Sequence, residues 1–434
     1  MHAYQELVIA GGAPLRGRLR VPGDKSISHR ALLFAAMADG QSRVTHLADG
    51  DDVRRTRDAL ERLGVRIRDL SDGGLAITAR GVDAFHEPHT VLDCGNSGTS
   101  MRLLLGLLAG RPFFSVLTGD DSLSRRPMAR VVEPLRGMGA RVDGRDGGEL
   151  APLSMRGGAL QGRRHELAVA SAQVKSALVL AGLQADGITE VTEPAPSRDH
   201  TERMLGAFGA PVRASGGTVS VERGAPRPFD LDVPGDPSSA AFFAVAASIT
   251  PGSDVVLEAV DLNPSRVRYV DVLVRMGADI DVTVTGERAG EPVGDIRVQA
   301  SELTGTVVSG DEVPAVQDEI PVLAVAAAFA EGVSEFRDAG ELRVKESDRI
   351  ATMEQELTQL GVGVETKADA LLVRGGHPRA GLLKSHGDHR VALAGAVAAV
   401  ALRGETTVRG WQAVGISYPG FVDDLVALGG EVAR

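Results

Sequence analysis

One pattern recurs six times along the 434 residues and limits the possible folds more than any other feature. Each copy has a polar start bearing Gly or Ser, an Ala/Leu-rich run, and then a turn leading into a β-like stretch. The copies are DKSISHRALLFAAMADG, GNSGTSMRLLLGLLAG, SAQVKSALVLAGLQADG, GDPSSAAFFAVAASITPG, QDEIPVLAVAAAFAEG and GDHRVALAGAVAAVALRG. They begin near residues 24, 95, 171, 235, 317 and 387, a spacing of roughly 65–80 residues. The runs are apolar nearly all round, which predicts buried helices.

A second series interleaves with the first. ALERLGVRI, PLRGMGARV, LGAFGAPV, VLVRMGADI, LTQLGVGV and LVALGGEV each read as the end of an amphipathic helix, a glycine stop and a strand. The stops are Gly64, Gly139, Gly209, Gly277, Gly361 and Gly429. A unit therefore reads strand, buried helix, strand, outer helix, strand, turn, strand. In the first unit GRLRV leads, followed by a helix from Ser26, SRVTHLA, a helix from Asp52, VRIRDL, the turn SDGG and LAITAR. Such units cannot bury their faces alone and must pack on one another. The tetrapeptide VPGD occurs at Val21–Asp24 and again at Val233–Asp236, so the six units divide into two groups of three with a boundary near residue 235. A chain of this length is also too long for one core.

Composition narrows the partners. Lys plus Arg number 47 against 58 Asp plus Glu, a net −11, which argues against nucleic acid as the main partner. A small anion responds to a local field and is not excluded. The single cysteine, Cys94, allows no intrachain disulfide and no cysteine zinc cage, and suits the cytoplasm. It reads as a small core residue. MHAYQELVIAGG lacks the features of a secretory signal. The longest apolar run, Val391–Leu402, has 12 residues, short of the ~20 of a membrane span.

Chemistry is expected at the polar helix starts, where unpaired N–H groups carry partial positive charge. Lys25, Ser26, Arg30, Asn96, Thr99, Arg102, Ser171, Gln173, Lys175, His389 and Arg390 sit there and suit phosphate or carboxylate oxygens. The plainer reading makes Ser and Asp simple helix caps. Lys25 and Arg30, at the start of a buried helix, must be paired or meet a ligand. ELRVKESDRI crowds Lys345, Glu346, Asp348 and Arg349 at one helix start, a pattern that a salt-bridged helix end also produces. Arg125 and Arg126 precede Pro127, either as a surface pair or as ligand groups. Of Asp318 and Glu319, one is expected to cap the next helix and the other to lie near a site, where a carboxylate can serve as a base. There is no GK[ST], HExxH or GxGxxG, and no metal-ligand spacing among the histidines.

VPGDKSISHRALL, LDCGNSGTSMRLL, SLSRRPMARV, SAQVKSALVLAGL, SRDHTERM, DVPGDPSSAAF, DEIPVLAVAAAFAEG, LRVKESDRI and GDHRVALA follow one another from residue 20 to beyond 400. In these stretches the chain resembles the 5-enolpyruvylshikimate-3-phosphate synthase (3-phosphoshikimate 1-carboxyvinyltransferase) family, and SAQVKSA and DVPGDPSSA look like its bacterial class II branch. The resemblance implies an α/β, two-domain enolpyruvyl transferase fold, an inside-out α/β barrel of six βαβαββ units, three per domain. The N-terminal domain would span 22–235, and 1–21 plus 236–434 would form the C-terminal one. It implies transfer of the enolpyruvyl group of phosphoenolpyruvate to the 5-hydroxyl of shikimate 3-phosphate, with no cofactor or metal, by a cytoplasmic monomer with no nucleic-acid or membrane partner.

The same resemblance assigns roles. Lys25, Asp318 and Glu346 would be catalytic. Lys25, Ser26, Arg30, Ser171, Ala172, Gln173, Arg198, Asp318 and Lys345 would bind shikimate 3-phosphate. Lys25, Gly98, Arg126, Gln173, Arg349 and Arg390 would bind phosphoenolpyruvate. This chain departs from many members at Ala172, where a second serine is common, at Ile416-Ser417, where a lysine is common, and at Glu341, where an asparagine is common. Gly98 stands where the inhibitor glyphosate packs in the family, which implies sensitivity unless neighbours such as Leu103 intervene. The related transferase acting on UDP-N-acetylglucosamine uses a loop cysteine and a lysine–asparagine signature, which DKSISHR and the strand-like setting of Cys94 do not match. A non-catalytic anion binder would be expected to lack the charges that Lys25, Asp318, Glu346, Arg349 and Arg390 supply.

Overall fold

The computed structural model describes residues 5–433. The chain forms two compact units. One comprises Gly23–Val233 with Glu287–Glu291; the other comprises the residues up to Pro22, Pro234–Gly286 and those from Pro292 on. Each has its own apolar core, built chiefly of Ala, Val, Leu and Ile. Each also carries three four-stranded sheets around three buried helices.

The six apolar runs form the helices Lys25–Met37, Gly98–Leu108, Ala172–Gly182, Pro237–Ile249, Ile320–Phe329 and His389–Ala401. Every residue of Pro237–Ile249 is buried, as is nearly all of His389–Ala401, in agreement with their uniform apolar surface. Five of the six starts are capped by the side chain that the polar motif supplies. Asp24 accepts from the Ile27 N–H at 2.7 Å, Ser97 from Ser100, Ser171 from Val174, Asp236 from Ser238 and Asp388 from Arg390. The sixth differs: Glu319 stands at the cap position of Ile320–Phe329 but makes no side-chain cap bond. Its carboxylate accepts from the Ser238 hydroxyl at 2.5 Å instead, so neither Asp318 nor Glu319 caps that helix through its side chain.

The outer helices end at the six expected glycines, all with positive φ between 77° and 116°. Two buried helices meet with almost no space between backbones. A Cβ on Gly106, in Gly98–Leu108, would lie 2.2 Å from the Ala177 carbonyl oxygen in Ala172–Gly182. Only glycine permits that approach.

Each sheet contains one parallel pair; in four sheets its two strands flank the buried helix of the same unit, and in the other two one strand comes from a distant part of the chain. Asp230–Asp232 lies parallel to Arg43–Thr45, joining the end of the first unit to its beginning. The GRLRV segment does form a strand, Arg16–Leu19, but it pairs with Asp254–Leu257 rather than with its own repeat. A parallel neighbour must be reached by a crossover, and in the four local pairs the buried helix is that crossover. Glu6–Gly11 pairs antiparallel with Gly404–Arg409. Among the described residues no helix is long and apolar enough to cross a membrane.

Candidate functional site

The side chains singled out above divide between the two units. In the unit built on Gly23–Val233, Lys25 occupies the first turn of its helix and points Nζ at Asp52 Oδ2, 2.9 Å away. Asp52 belongs to the outer helix Asp51–Arg62, and its backbone carbonyl accepts from the Ser100 hydroxyl at 3.2 Å. Behind this pair lies His29, whose Nδ1 is 2.8 Å from Thr56 Oγ1, itself 2.8 Å from Ser100 Oγ. Burial pushes the His29 imidazole down to about 3, so it is neutral at ordinary pH.

Arg30 is buried, and burial lowers its pKa to about 10 although Glu202 and Asp24 oppose the shift. Its guanidinium ties three helices together. Nε donates to Thr201 Oγ1 at 2.7 Å, Nη1 to the Ser26 carbonyl at 2.9 Å and Nη2 to Ser176 Oγ at 2.7 Å. Arg198 contributes a repelling positive charge to Arg30.

At the adjoining helix starts, Gln173 is held from both ends. Its Nε2 donates to Thr99 Oγ1 at 2.9 Å, and its Oε1 accepts from Arg102 Nη1 at 2.5 Å. Arg126 donates to Asn96 Oδ1 at 3.0 Å. A Cβ placed on Gly98 would lie 2.8 Å from Arg102 Nη1 and 3.6 Å from Arg126 Nη1, so two guanidiniums close in over that glycine. The Arg102 pKa is lowered to about 10 by burial first, and then by the positive charges of Arg126 and Arg130. A place where positive charges are gathered together suits an anion.

In the other unit the charges gather around Arg349. This residue is 2% exposed. Its Nε donates to Asp388 Oδ2 at 2.8 Å, its Nη2 to Glu346 Oε2 at 2.7 Å, and its Nη1 lies 3.5 Å from Asp318 Oδ1. Burial alone would lower the Arg349 pKa, but these carboxylates outweigh it and hold the group charged. Asp388 is kept below the usual carboxylate range: burial would raise it, but Arg349 and His389 pull it down further. Arg390 donates to the Asp318 carbonyl at 2.8 Å and lies 3.5 Å from Glu319. The Asp318 and Glu346 side chains are each about one-fifth exposed, which leaves both carboxylates accessible beside one guanidinium. Lys345, half-buried, follows the single turn Gly340–Val344.

One expectation changes and one holds. Lys175 is not an anion-binding group: its Nζ lies 2.7 Å from Glu193 Oε2 and 2.9 Å from Glu202 Oε1, with all three side chains under a tenth exposed. A lysine three residues into a buried helix is farther from the helix mouth than its residue type suggests, and burial demands a counter-ion. Cys94 is buried and its thiol pushed up to about 12 by burial, as a core residue should be. Asp52, Glu193 and Glu202 escaped the sequence reading. The signal for the last two was Lys175 itself, a charge inside an apolar run.

A family model described as EPSP synthase (3-phosphoshikimate 1-carboxyvinyltransferase) matches residues 9–425. A 3-phosphoshikimate 1-carboxyvinyltransferase of Pelotomaculum thermopropionicum is 52% identical over 422 residues, covering 96% of this chain and 97% of that one. One from Thermus thermophilus is 53% identical over 422 residues, covering 97% and 98%. Among solved structures, an EPSP synthase from Acinetobacter baumannii superposes with a TM-score of 0.90 at 42% identity, covering 99% of this chain and all of that one. The enolpyruvyl transferase NikO from Streptomyces tendae gives a TM-score of 0.81 at 20% identity, covering 99% and 98%, and so shares the fold.

Proposed function

The chain belongs to the EPSP synthase family, and from that premise we propose how its residues divide the work. The reaction moves the enolpyruvyl group of phosphoenolpyruvate onto the 5-hydroxyl of shikimate 3-phosphate. A proton reaches the methylene carbon, the hydroxyl oxygen bonds to the adjacent carbon, and a tetrahedral intermediate forms. Loss of a methyl proton and departure of phosphate then give the enolpyruvyl ether. Asp318 takes the hydroxyl proton. Glu346 delivers the methylene proton and later removes one, with Lys25 sharing in the transfer. Ser26, Arg30, Ser171, Ala172, Gln173, Arg198 and Lys345 hold shikimate 3-phosphate. Gly98, Arg126, Gln173, Arg349 and Arg390 hold phosphoenolpyruvate. Fixed cations aimed at developing charge are usually the largest catalytic contribution.

The observation that carries this reading is the pair of guanidiniums, Arg102 and Arg126, over Gly98. Their setting suits a doubly charged small anion on a protein whose overall balance is acidic. The accessible carboxylates beside Arg349 supply acid–base groups. Phosphate release measured with both substrates tests it. Release is expected with shikimate 3-phosphate and none with UDP-N-acetylglucosamine; the reverse would reassign the chain to the other transferase. Asp318→Asn and Glu346→Gln should each lower kcat by roughly 10²-fold or more.

The same pair of guanidiniums over Gly98 supports sensitivity to glyphosate, competing with phosphoenolpyruvate. A methyl group there would press on Arg102, so Gly98→Ala is expected to raise the inhibition constant. Undiminished activity of the unaltered enzyme at high glyphosate would defeat this. A single buried thiol suits a reducing cytoplasm, and gel filtration is expected to give the mass of one chain.

A further inference from the structure

We infer that Glu193 is a positioning residue for the phosphate-bearing end of shikimate 3-phosphate, an inference that rests on the roles given to Ser171 and Arg198 above. Glu193 directly follows the strand Thr189–Thr192 and its side chain is 5% exposed. One carboxylate collects donors from three places. Oε1 accepts from the Ser171 backbone N–H at 2.9 Å. The Ser197 hydroxyl lies 2.7 Å from Oε1 and 2.8 Å from Oε2. Lys175 Nζ lies 2.7 Å from Oε2.

The three donors sit on the backbone that presents the proposed ligand groups. Ser171 is the cap of the helix Ala172–Gly182 and precedes Ala172 and Gln173. Ser197 immediately precedes Arg198. Lys175 lies in the first turn of the same helix and anchors it from inside. Glu193 thus joins the start of one helix to the loop that carries Arg198, two segments separated in the chain by the rest of that helix, a turn and a strand.

The chemistry selects a carboxylate. An amide N–H, a hydroxyl and an ammonium are all donors here, and only an ionised carboxylate offers acceptors alone. Glutamine has the same shape but would turn an NH2 toward Lys175 or Ser197. The buried lysine needs the charge as well. Glu202, 2.9 Å from Lys175, shares that ammonium, and it also opposes the lowering of the Arg30 pKa. Ion pairs therefore link Glu193 through Lys175 to Glu202, whose charge acts through space on the arginine that holds the Ser26 carbonyl.

The test is steady-state phosphate release by the full chain, with each substrate varied in turn. Glu193→Gln is expected to raise the KM for shikimate 3-phosphate about tenfold, leaving kcat and the KM for phosphoenolpyruvate within about twofold. Ser197→Ala removes no charge and should raise the same KM about threefold, while Ser197→Thr, which keeps the donor, should not. In the double variant the two effects should be less than multiplicative, because both act through one carboxylate. An unchanged KM for shikimate 3-phosphate in the single variants, an equal rise for both substrates, or fully multiplicative effects would overturn the inference. Should Glu193→Gln fail to fold, Ser197→Ala decides alone: no rise in that KM overturns it. If the unaltered chain releases no phosphate from this pair, the reading of the reaction fails, which is a different result from active enzyme with indifferent variants.

Discussion

His29 sits in a closed hydroxyl network with Thr56 and Ser100, and its protonation is coupled to folding. The folded pKa of about 3 lies below the ordinary value of 6.5, so the unfolded chain binds a proton there that the folded chain does not. Its contribution is fully present above pH 6.5 and falls away as pH drops toward 3, at roughly 1.4 kcal/mol per pH unit. Urea titrations of the full chain at pH 7, 6 and 5 should show this slope, and His29→Asn should flatten it by about one proton. Asp388 acts in the same direction lower on the scale, since its carboxylate lies below the ordinary range in the folded protein. Asp388→Asn keeps a cap for its helix but leaves Arg349 short of one counter-charge, and is expected to cost about 3 kcal/mol in chemical denaturation. At this scale the sequence is informative where one residue type has one use. The capping Asp and Ser residues and the six glycine stops could be read directly. Asp52 and Glu193 could not, because each draws its meaning from a partner more than a dozen residues away, Lys25 in one case and Lys175 in the other.

Elements begin close to where motif and periodicity put them: the helix expected from Ser26 starts at Lys25, and that expected from Asp52 at Asp51. Their ends can be tested by two glycines of different kinds. Gly361 has φ +84° with open space around its Cβ position, so Gly361→Ala measures backbone strain alone and should cost about 1 kcal/mol. Gly361→Asn, better tolerated in the left-handed region, should cost less. Gly106→Ala instead drives a methyl into the Ala177 backbone. Spreading those helices should cost about 2–3 kcal/mol in urea denaturation. It should also lower activity, because their starts carry Gly98, Thr99, Ser171 and Gln173. The strand GRLRV was legible as a strand but not in its pairing, since period-two alternation carries no address for a neighbour some 240 residues away.

Across the molecule, the alternation of buried and outer helices announced six units, and the repeated VPGD divided them into two groups of three. Residues 287–291 were not foreseen in company with Gly23–Val233. They lie at the turn between Asp279–Arg288 and Glu291–Gln299, where Glu291 Oε1 meets His200 Nδ1 at 2.8 Å with both side chains fully buried. A fragment spanning 23–233 should therefore fold cooperatively yet unfold at lower urea concentration than the same residues in the full chain. An equal midpoint would mean that 287–291 adds nothing to that unit.

The strand Glu6–Gly11 has a further consequence during synthesis. Its partner Gly404–Arg409 is synthesised nearly 400 residues later. At 5–20 residues per second the wait is roughly 20–80 s. Through that interval ELVIAG has both edges bare, and a nascent-chain chaperone would find it before its own sheet does.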